Sequence, residues 1–355
     1  MNTKLILNSP VQDLTLAVQV LQNGGLVAMP TETVYGLAAN ALDPDAVSKI
    51  FAAKGRPSDN PLIVHIASME QLPPLVRTIS PTAKKLMDAF WPGPLTLVFP
   101  ASDVIPPIVS AGLTTVAVRF PSHPIAQKLI LSSGLVLAAP SANTSGKPSP
   151  TTAQRVLEDL DGKIEVIIDG GQVEVGLEST VIDVTGDIPI ILRPGKITQE
   201  MAENIIGSIT VDPALEEPSN PHFIPKAPGM KYTHYSPNAQ VYIVEGCEED
   251  VIQTIDTLTL KDQSNCKKVG IMTTDETISC YTQGDMTLSL GSVSNLETVA
   301  YSLFETLRAF DDAKMDIIYT EGFSRQGIGS AIMNRLTKAA GYKIIKAMAN
   351  KDLEN

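Results

Sequence analysis

The chain has 355 residues, 43% of them hydrophobic and 19% charged, which excludes a disordered polymer and predicts two globular domains rather than one core. Its net charge of −12 is spread evenly, −6 over residues 1–212 and −6 over the remainder, and only 5% of its residues are aromatic. Such a chain does not hold nucleic acid or anionic lipid by bulk electrostatics, and it advertises no stacking platform for single strands. Three cysteines, all after residue 240 and without CxxC spacing, read as free thiols of a reducing compartment. With no apolar leader in MNTKLILNSP and no run of 18 apolar residues, the expectation is a cytoplasmic protein with no membrane contact.

In chain order, residues 14–22 have helical spacing and stop at Asn23-Gly24-Gly25, and Leu26–Met29 reads as a buried strand broken by Pro30. Helices are predicted at 44–53, 81–90, 123–132, 151–160 and near 198–206. Strands are predicted at 61–66, 95–99, 115–120, 135–139, 166–169, 180–184 and 188–192. This interleaving predicts an α/β domain with a mixed sheet over residues 1–211. Residues 212–240 carry six prolines without apolar periodicity, but also Phe223, Tyr232, His234 and Tyr235, so they read as a docked linker. Strands at 241–244, 269–272, 286–290 and 316–320, with helices at 248–259, 296–310 and 328–340, predict a smaller, doubly wound, Rossmann-like domain over residues 241–355.

Chemistry is written in the turns of the first domain. Four segments follow strand ends with polar, glycine-punctuated sequence: PTETVYGL (30–37), KGRPSDNPL (54–62), APSANTSG (139–146) and GLESTVID (176–183) with the nearby RPG (193–195). Open α/β sheets bind ligands at such places. Lys54 and Arg56 flank a glycine and can converge on one anion in a turn, or simply cap a helix end. Ser141 and Asn143 around small Ala142 suit the approach of a phosphate or ribose, or an ordinary polar loop. His65 inside PLIVHI reads first as a core histidine, and Arg119, ending the apolar TVAVRF strand, needs an anionic partner. GFSRQGIG (322–329) is a loop-to-helix step that lacks the lysine of a phosphate-binding loop. No HExxH, GxSxG or CxxC motif occurs, and no metal-ligand set is predicted.

Taken together and in order, PTETVYGL, KGRPSDNPLIVHI, WPGPLTLVF, VAVRFP, APSANTSGKPSPT, GLESTVID and ILRPG resemble the YrdC/Sua5 family of threonylcarbamoyl-AMP synthases over residues 10–210. APGMKYTHYSP (227–237) and GIGSAIMNRLTKAAG (327–341) resemble its longer, two-domain form. The resemblance implies a twisted mixed sheet with a concave cleft, and an enzyme, a nucleotidyltransferase. Its reaction would turn L-threonine, bicarbonate and ATP into threonylcarbamoyl-AMP, pyrophosphate and water, with Mg²⁺ held mainly by the ATP phosphates. The product would feed other proteins that modify adenosine 37 of tRNA, with at most a weak tRNA contact by this chain.

The same resemblance implies roles for individual residues. Lys54 and Arg56, the catalytic cations, would face ATP phosphates with Asn60. Thr115, Ser141, Asn143, Ser149 and Arg193 would complete the ATP site. Thr31, His65, Arg119, Ala139, Ser179 and Thr180 would surround threonine. Tyr232, His234 and Tyr235 would belong to a linker lying as a lid across the cleft. One rival is a carbamoyl-adenylate-forming domain, but the acylphosphatase and zinc-finger modules of such proteins are missing from the sequence. The other is a non-catalytic RNA-binding module, against which the acidic charge weighs.

Overall fold

A computed structural model describes residues 3–6, 13–215 and 235–347. The chain divides into two compact units, Met1–Ser145 with Ser149–Tyr232, and Gly146–Pro148 with Thr233–Asn355. Among the described residues no helix is long and apolar enough to cross a membrane.

The first unit begins β1 (Lys4–Ile6), α1 (Thr15–Gln22), β2 (Val27–Met29), β3 (Gly36–Asn40), α2 (Pro44–Lys54) and β4 (Ile63–His65). It continues α3 (Pro81–Phe90), β5 (Leu95–Pro100), α4 (Pro107–Ser110), β6 (Thr115–Arg119), α5 (Pro124–Ser133) and β7 (Leu137–Ala138). It closes with α6 (Ala153–Leu160), β8 (Val166–Ile168), β9 (Thr180–Asp183), β10 (Ile190–Arg193), α7 (Gln199–Ile206) and β11 (Thr210–Val211). The strands form one mixed sheet in the order β1-β8-β2-β3-β7-β4-β6-β5-β9-β10-β11.

Register gives the central strands two different faces. Val64, Val118, Leu97 and Ile182 point into the main core with the side chains of α2 and α3. The opposite face has a floor of Ile63, Ala117, Val98 and Val181. Side chains alternate along a strand, so His65, Arg119 and Thr96 share the second face with that floor. Pairing lines them up: His65 opposite Arg119, Arg119 opposite Thr96, Thr96 opposite Val181, and Val181 opposite Arg193 across a β-bulge.

The second unit runs β12 (Gln240–Glu245), α8 (Glu248–Ser264), β13 (Val269–Thr273), β14 (Met286–Ser289), α9 (Leu296–Asp312), β15 (Ile317–Glu321), α10 (Ile328–Ala339) and β16 (Ile344–Lys346). Among the described residues its five strands are parallel, in the order β14-β13-β15-β12-β16. Parallel sheets need both faces covered. Here α8 packs on β12, β13 and β15, while α9 and α10 pack on each other.

Candidate active site

The loop after β2, itself one of the four polar segments, is the hub that joins two of the others. Tyr35 N donates to Pro150 O, Ala142 N donates to Tyr35 O, and Leu37 N donates to Pro140 O. On its other side, Val175 N and Gly176 N donate to the carbonyls of Glu32 and Thr33. Thr31 Oγ1 donates to Val34 O (2.7 Å) and accepts from Thr33 N and Val34 N, which fixes the turn from within. Residues more than a hundred positions apart are thus held by backbone hydrogen bonds in one place.

Lys54 and Arg56 are set by the end of α2. Pro44 starts the helix, and the Asp43 side chain caps it by accepting from Asp45 N and Ala46 N. Gly55 ends it in the left-handed conformation (φ 62°), which turns Arg56 off the helix axis. The structure places the Lys54 ammonium inside the protein, 2% exposed, donating to Asn143 O (2.6 Å), Asn143 Oδ1 (3.3 Å) and Ser141 O. Lys54 therefore fastens α2 to the Ser141–Asn143 turn. Within that turn, Ser141 Oγ donates to Asn143 Oδ1, and Asn143 Nδ2 donates to Thr144 O. Arg56 curls over its own loop, with Nη2 donating to Pro61 O (3.2 Å). Asn60 is buried, and its Oδ1 has no hydrogen-bond partner among the described residues.

On the sheet, Arg119 Nη2 lies 2.9 Å from Glu32 Oε1, and both side chains are about 5% exposed (5% and 4%). The approach lacks hydrogen-bond geometry, so Arg119 Nε and Nη2 and both Glu32 oxygens are buried without hydrogen-bond partners among the described residues. A buried pair with unfilled valences is costly unless something else completes it. Beside it, His65 is held down at about 3, first by burial and then by the Arg119 charge, so its ring is neutral near neutral pH. Its Nδ1 lies 3.2 Å from Ile63 O. A group with so little proton affinity is a poor general base.

Arg193 reaches back along the row, donating through Nε to Ser179 O (3.0 Å) and through Nη2 to Ser179 Oγ (3.1 Å). Ser179 Oγ also meets Thr96 Oγ1 at 2.7 Å. Thr180 Oγ1 donates to Ile197 O, and Ser149 Oγ donates to Glu178 Oε1. Ala139 N donates to Ile63 O, which carries β7 onward toward Ser141. Thr115 opens β6 four residues before Arg119 and on the same face, roughly 13 Å away at the rise of a strand.

Tyr235 belongs to the second unit, where it is buried and stacked on Phe304 (centroids 5.2 Å apart) with Arg335 over its ring. Tyr232 and His234 lie outside the described residues. Three participants are missing from the sequence reading: Glu32, Glu178 and Thr96. All three sit inside the quoted motifs, and for the two glutamates a carboxylate next to hydroxyl residues in a buried turn was the available signal.

Two family models match the chain. One, described as telomere recombination and covering Sua5, YciO and YrdC proteins, spans residues 19–195. The other, described as threonylcarbamoyl-AMP synthase, C-terminal domain, spans residues 197–341. The threonylcarbamoyl-AMP synthase of Bacillus subtilis is 51% identical over 331 residues, 93% of each chain. That of Pyrococcus abyssi is also 51% identical, over 93% of this chain and 95% of its own. The solved structure of P. abyssi Sua5 complexed with L-threonine has a TM-score of 0.92 at 49% identity, covering 98% of this chain and 100% of the other.

Proposed function

The chain belongs to the two-domain Sua5 family of threonylcarbamoyl-AMP synthases, enzymes that use ATP, and from that membership we propose how its residues share the reaction. The observation that carries the proposal is the buried Arg119–Glu32 pair, in which Arg119 Nε and Nη2 and both Glu32 oxygens lack hydrogen-bond partners among the described residues. Threonine is a zwitterion, and it supplies the two missing groups at once. Its carboxylate lies against the Arg119 fork, and its ammonium lies against Glu32.

Glu32 then faces the proton that the amine must lose before it attacks the carbon of bicarbonate. Carbamate forms with loss of water, its oxygen attacks the α-phosphorus of ATP, and pyrophosphate leaves. Arg56 answers the charge on the departing pyrophosphate. Lys54, held to the Ser141 and Asn143 carbonyls, is a positioning residue that presents the Ser141 and Asn143 side chains to the nucleotide. Ser149, Asn60 and Thr115 complete the ATP side. Thr31, Ala139 and Thr180 shape the threonine side, and Arg193 fixes Ser179 there. Lined up on a rigid sheet, these groups act by alignment and charge more than by proton transfer.

Among the described residues no three His, Cys, Asp or Glu side chains gather as a metal cage. The donors present, hydroxyls and amides near the phosphate side, suit a Mg²⁺ that arrives on the triphosphate with its waters. Product would pass to separate proteins that place the threonylcarbamoyl group on tRNA. The acidic charge fits only a weak tRNA contact, and the three free cysteines fit a reducing, cytoplasmic setting.

The test is direct. Purified protein with Mg-ATP, L-threonine and bicarbonate should yield threonylcarbamoyl-AMP by mass spectrometry and one pyrophosphate per product. Leaving out threonine or bicarbonate should abolish both signals; pyrophosphate release that ignores threonine would overturn the assignment.

A further inference from the structure

The second unit carries a cavity of about 670 Å³ that the reaction above does not use. Its position follows from the topology. β12 and β15 are neighbours in the sheet, but the chain leaves β12 through α8 toward β13 and leaves β15 through α10 toward β16. Right-handed crossovers in opposite directions put the two helices on opposite faces, so the loops part and a crevice opens at the strand ends. The cavity is lined by Val244, Glu245 and Gly246 from the end of β12 and by Glu321 through Gln326 from the end of β15. Its size is that of a small-molecule or cofactor site.

The chemistry inside is asymmetric. Glu321 Oε1 accepts three hydroxyl donors, from Thr273 (2.9 Å), Thr277 (2.7 Å) and Tyr281 (2.8 Å). Burial and the neighbouring Glu321 charge raise the Tyr281 phenol, so it stays protonated and keeps donating. Three donors on one oxygen lock the carboxylate in place, while Oε2 has no partner among the described residues. A locked acceptor on the wall of a crevice suits a diol.

Val251, Val293 and Phe323 supply an apolar wall. Ser324 and Arg325 stand on the turn into α10, whose N-cap Gly327 provides no side-chain cap for the first N–H groups. Gly329 is required there, because a Cβ would meet Ser324 O at 2.0 Å. The lining is not uniformly hostile to an anion. Glu245 is already paired with Lys346 (2.6 Å) and Arg325 (3.2 Å), and Glu248 sits in the first turn of α8.

We propose that this crevice is a second nucleotide site, binding a ribonucleoside 5′-phosphate with its ribose diol on Glu321, its base against Val293 and Phe323, and its phosphate at the Ser324–Gly327 turn. The site lies wholly in the second unit and is independent of how the first unit holds ATP. GFSRQGIG, which lacks a phosphate-loop lysine, here works through backbone groups and Arg325.

The experiment is equilibrium dialysis of the full chain against AMP, GMP, CMP and UMP, in the wild type and in Arg56→Ala, Glu321→Gln and Val293→Trp variants. Val293 is half exposed, so its replacement fills the crevice without disturbing the core. The proposal expects one mononucleotide to bind at a site that survives Arg56→Ala but weakens at least tenfold in each of the other two. The 2′,3′-dideoxy form of that nucleotide should lose a similar factor. The proposal is overturned if no mononucleotide binds outside the site removed by Arg56→Ala, or if Glu321→Gln and Val293→Trp bind as wild type. Equal competition by inorganic phosphate and the nucleotide would also overturn it, because the crevice would then hold only an anion.

Discussion

A guanidinium at the end of an apolar strand needs an anion, and Arg119 has Glu32 in the chain and, in the site proposed above, the carboxylate of threonine. The sequence of TVAVRF exposes that need, because Arg119 follows four residues that fit a buried strand. It does not expose Glu32, which arrives from 87 positions upstream through a turn whose register depends on Pro140, Pro150 and Val175. Removing one partner of a buried pair leaves the other uncompensated, at about 3 kcal/mol or more. Glu32→Gln should therefore lower stability by that order, and it should raise the threonine KM at least tenfold while the ATP KM changes little. Steady-state kinetics with each substrate varied, beside denaturant unfolding, checks it. An equal rise in both KM values would place Glu32 outside the threonine site and make it a structural residue only. Lys54 teaches a related lesson. Its charge is legible, but its partners are carbonyls, which no sequence pattern marks.

At the scale of elements, the apolar runs and capped helices of the chain are legible because each carries its own local signal. Residues 44–54 are an example, with Asp43, Pro44 and Gly55 marking both ends. β3 is not legible. Its sequence GLAAN has no β-branched or aromatic residue, and it becomes a strand because β2 and β7 pair with it on either side. Small side chains are needed there: a Cβ on Gly36 would already meet Ala139 Cβ at 3.3 Å.

The same logic governs the RPG turn. A Cβ on Gly195 would meet Thr180 N at 2.5 Å, Thr180 Oγ1 at 2.7 Å and Glu178 O at 2.9 Å. Backbone cannot step aside as a flexible side chain can, so Gly195→Ala should push this turn away from Glu178–Thr180. The expected result is about 1–3 kcal/mol of lost stability together with a lower kcat, since Arg193 would lose its hold on Ser179. Unchanged stability and turnover would show that the turn has slack that the close packing does not reveal.

At the scale of the whole molecule, sheet order is the least local property of all, since eleven strands of the first unit pair across the full length of its sequence. Mixed and parallel character could be read from the alternation of elements; the alignment of His65, Arg119, Thr96 and Arg193 on one face could not. That alignment has a consequence for stability. His65 is held at about 3 in the folded chain, against an ordinary 6.5, because it is buried beside Arg119. The unfolded chain therefore binds more protons than the folded one between these two values, and stability must fall as pH falls through this window. The contribution is complete above about pH 6.5. From pH 7 to pH 5 it should shrink by about 2 kcal/mol, at roughly 1.4 kcal/mol per pH unit once the unfolded imidazole is protonated. The single tryptophan, Trp91, lies in the first unit and reports its unfolding by fluorescence. Denaturant titrations at pH 7, 6 and 5 should show the loss in the wild type. His65→Asn should remove it, leaving only the shallower slope of the carboxylates; parallel slopes in the two proteins would mean that His65 is protonated, and accommodated, in the folded state.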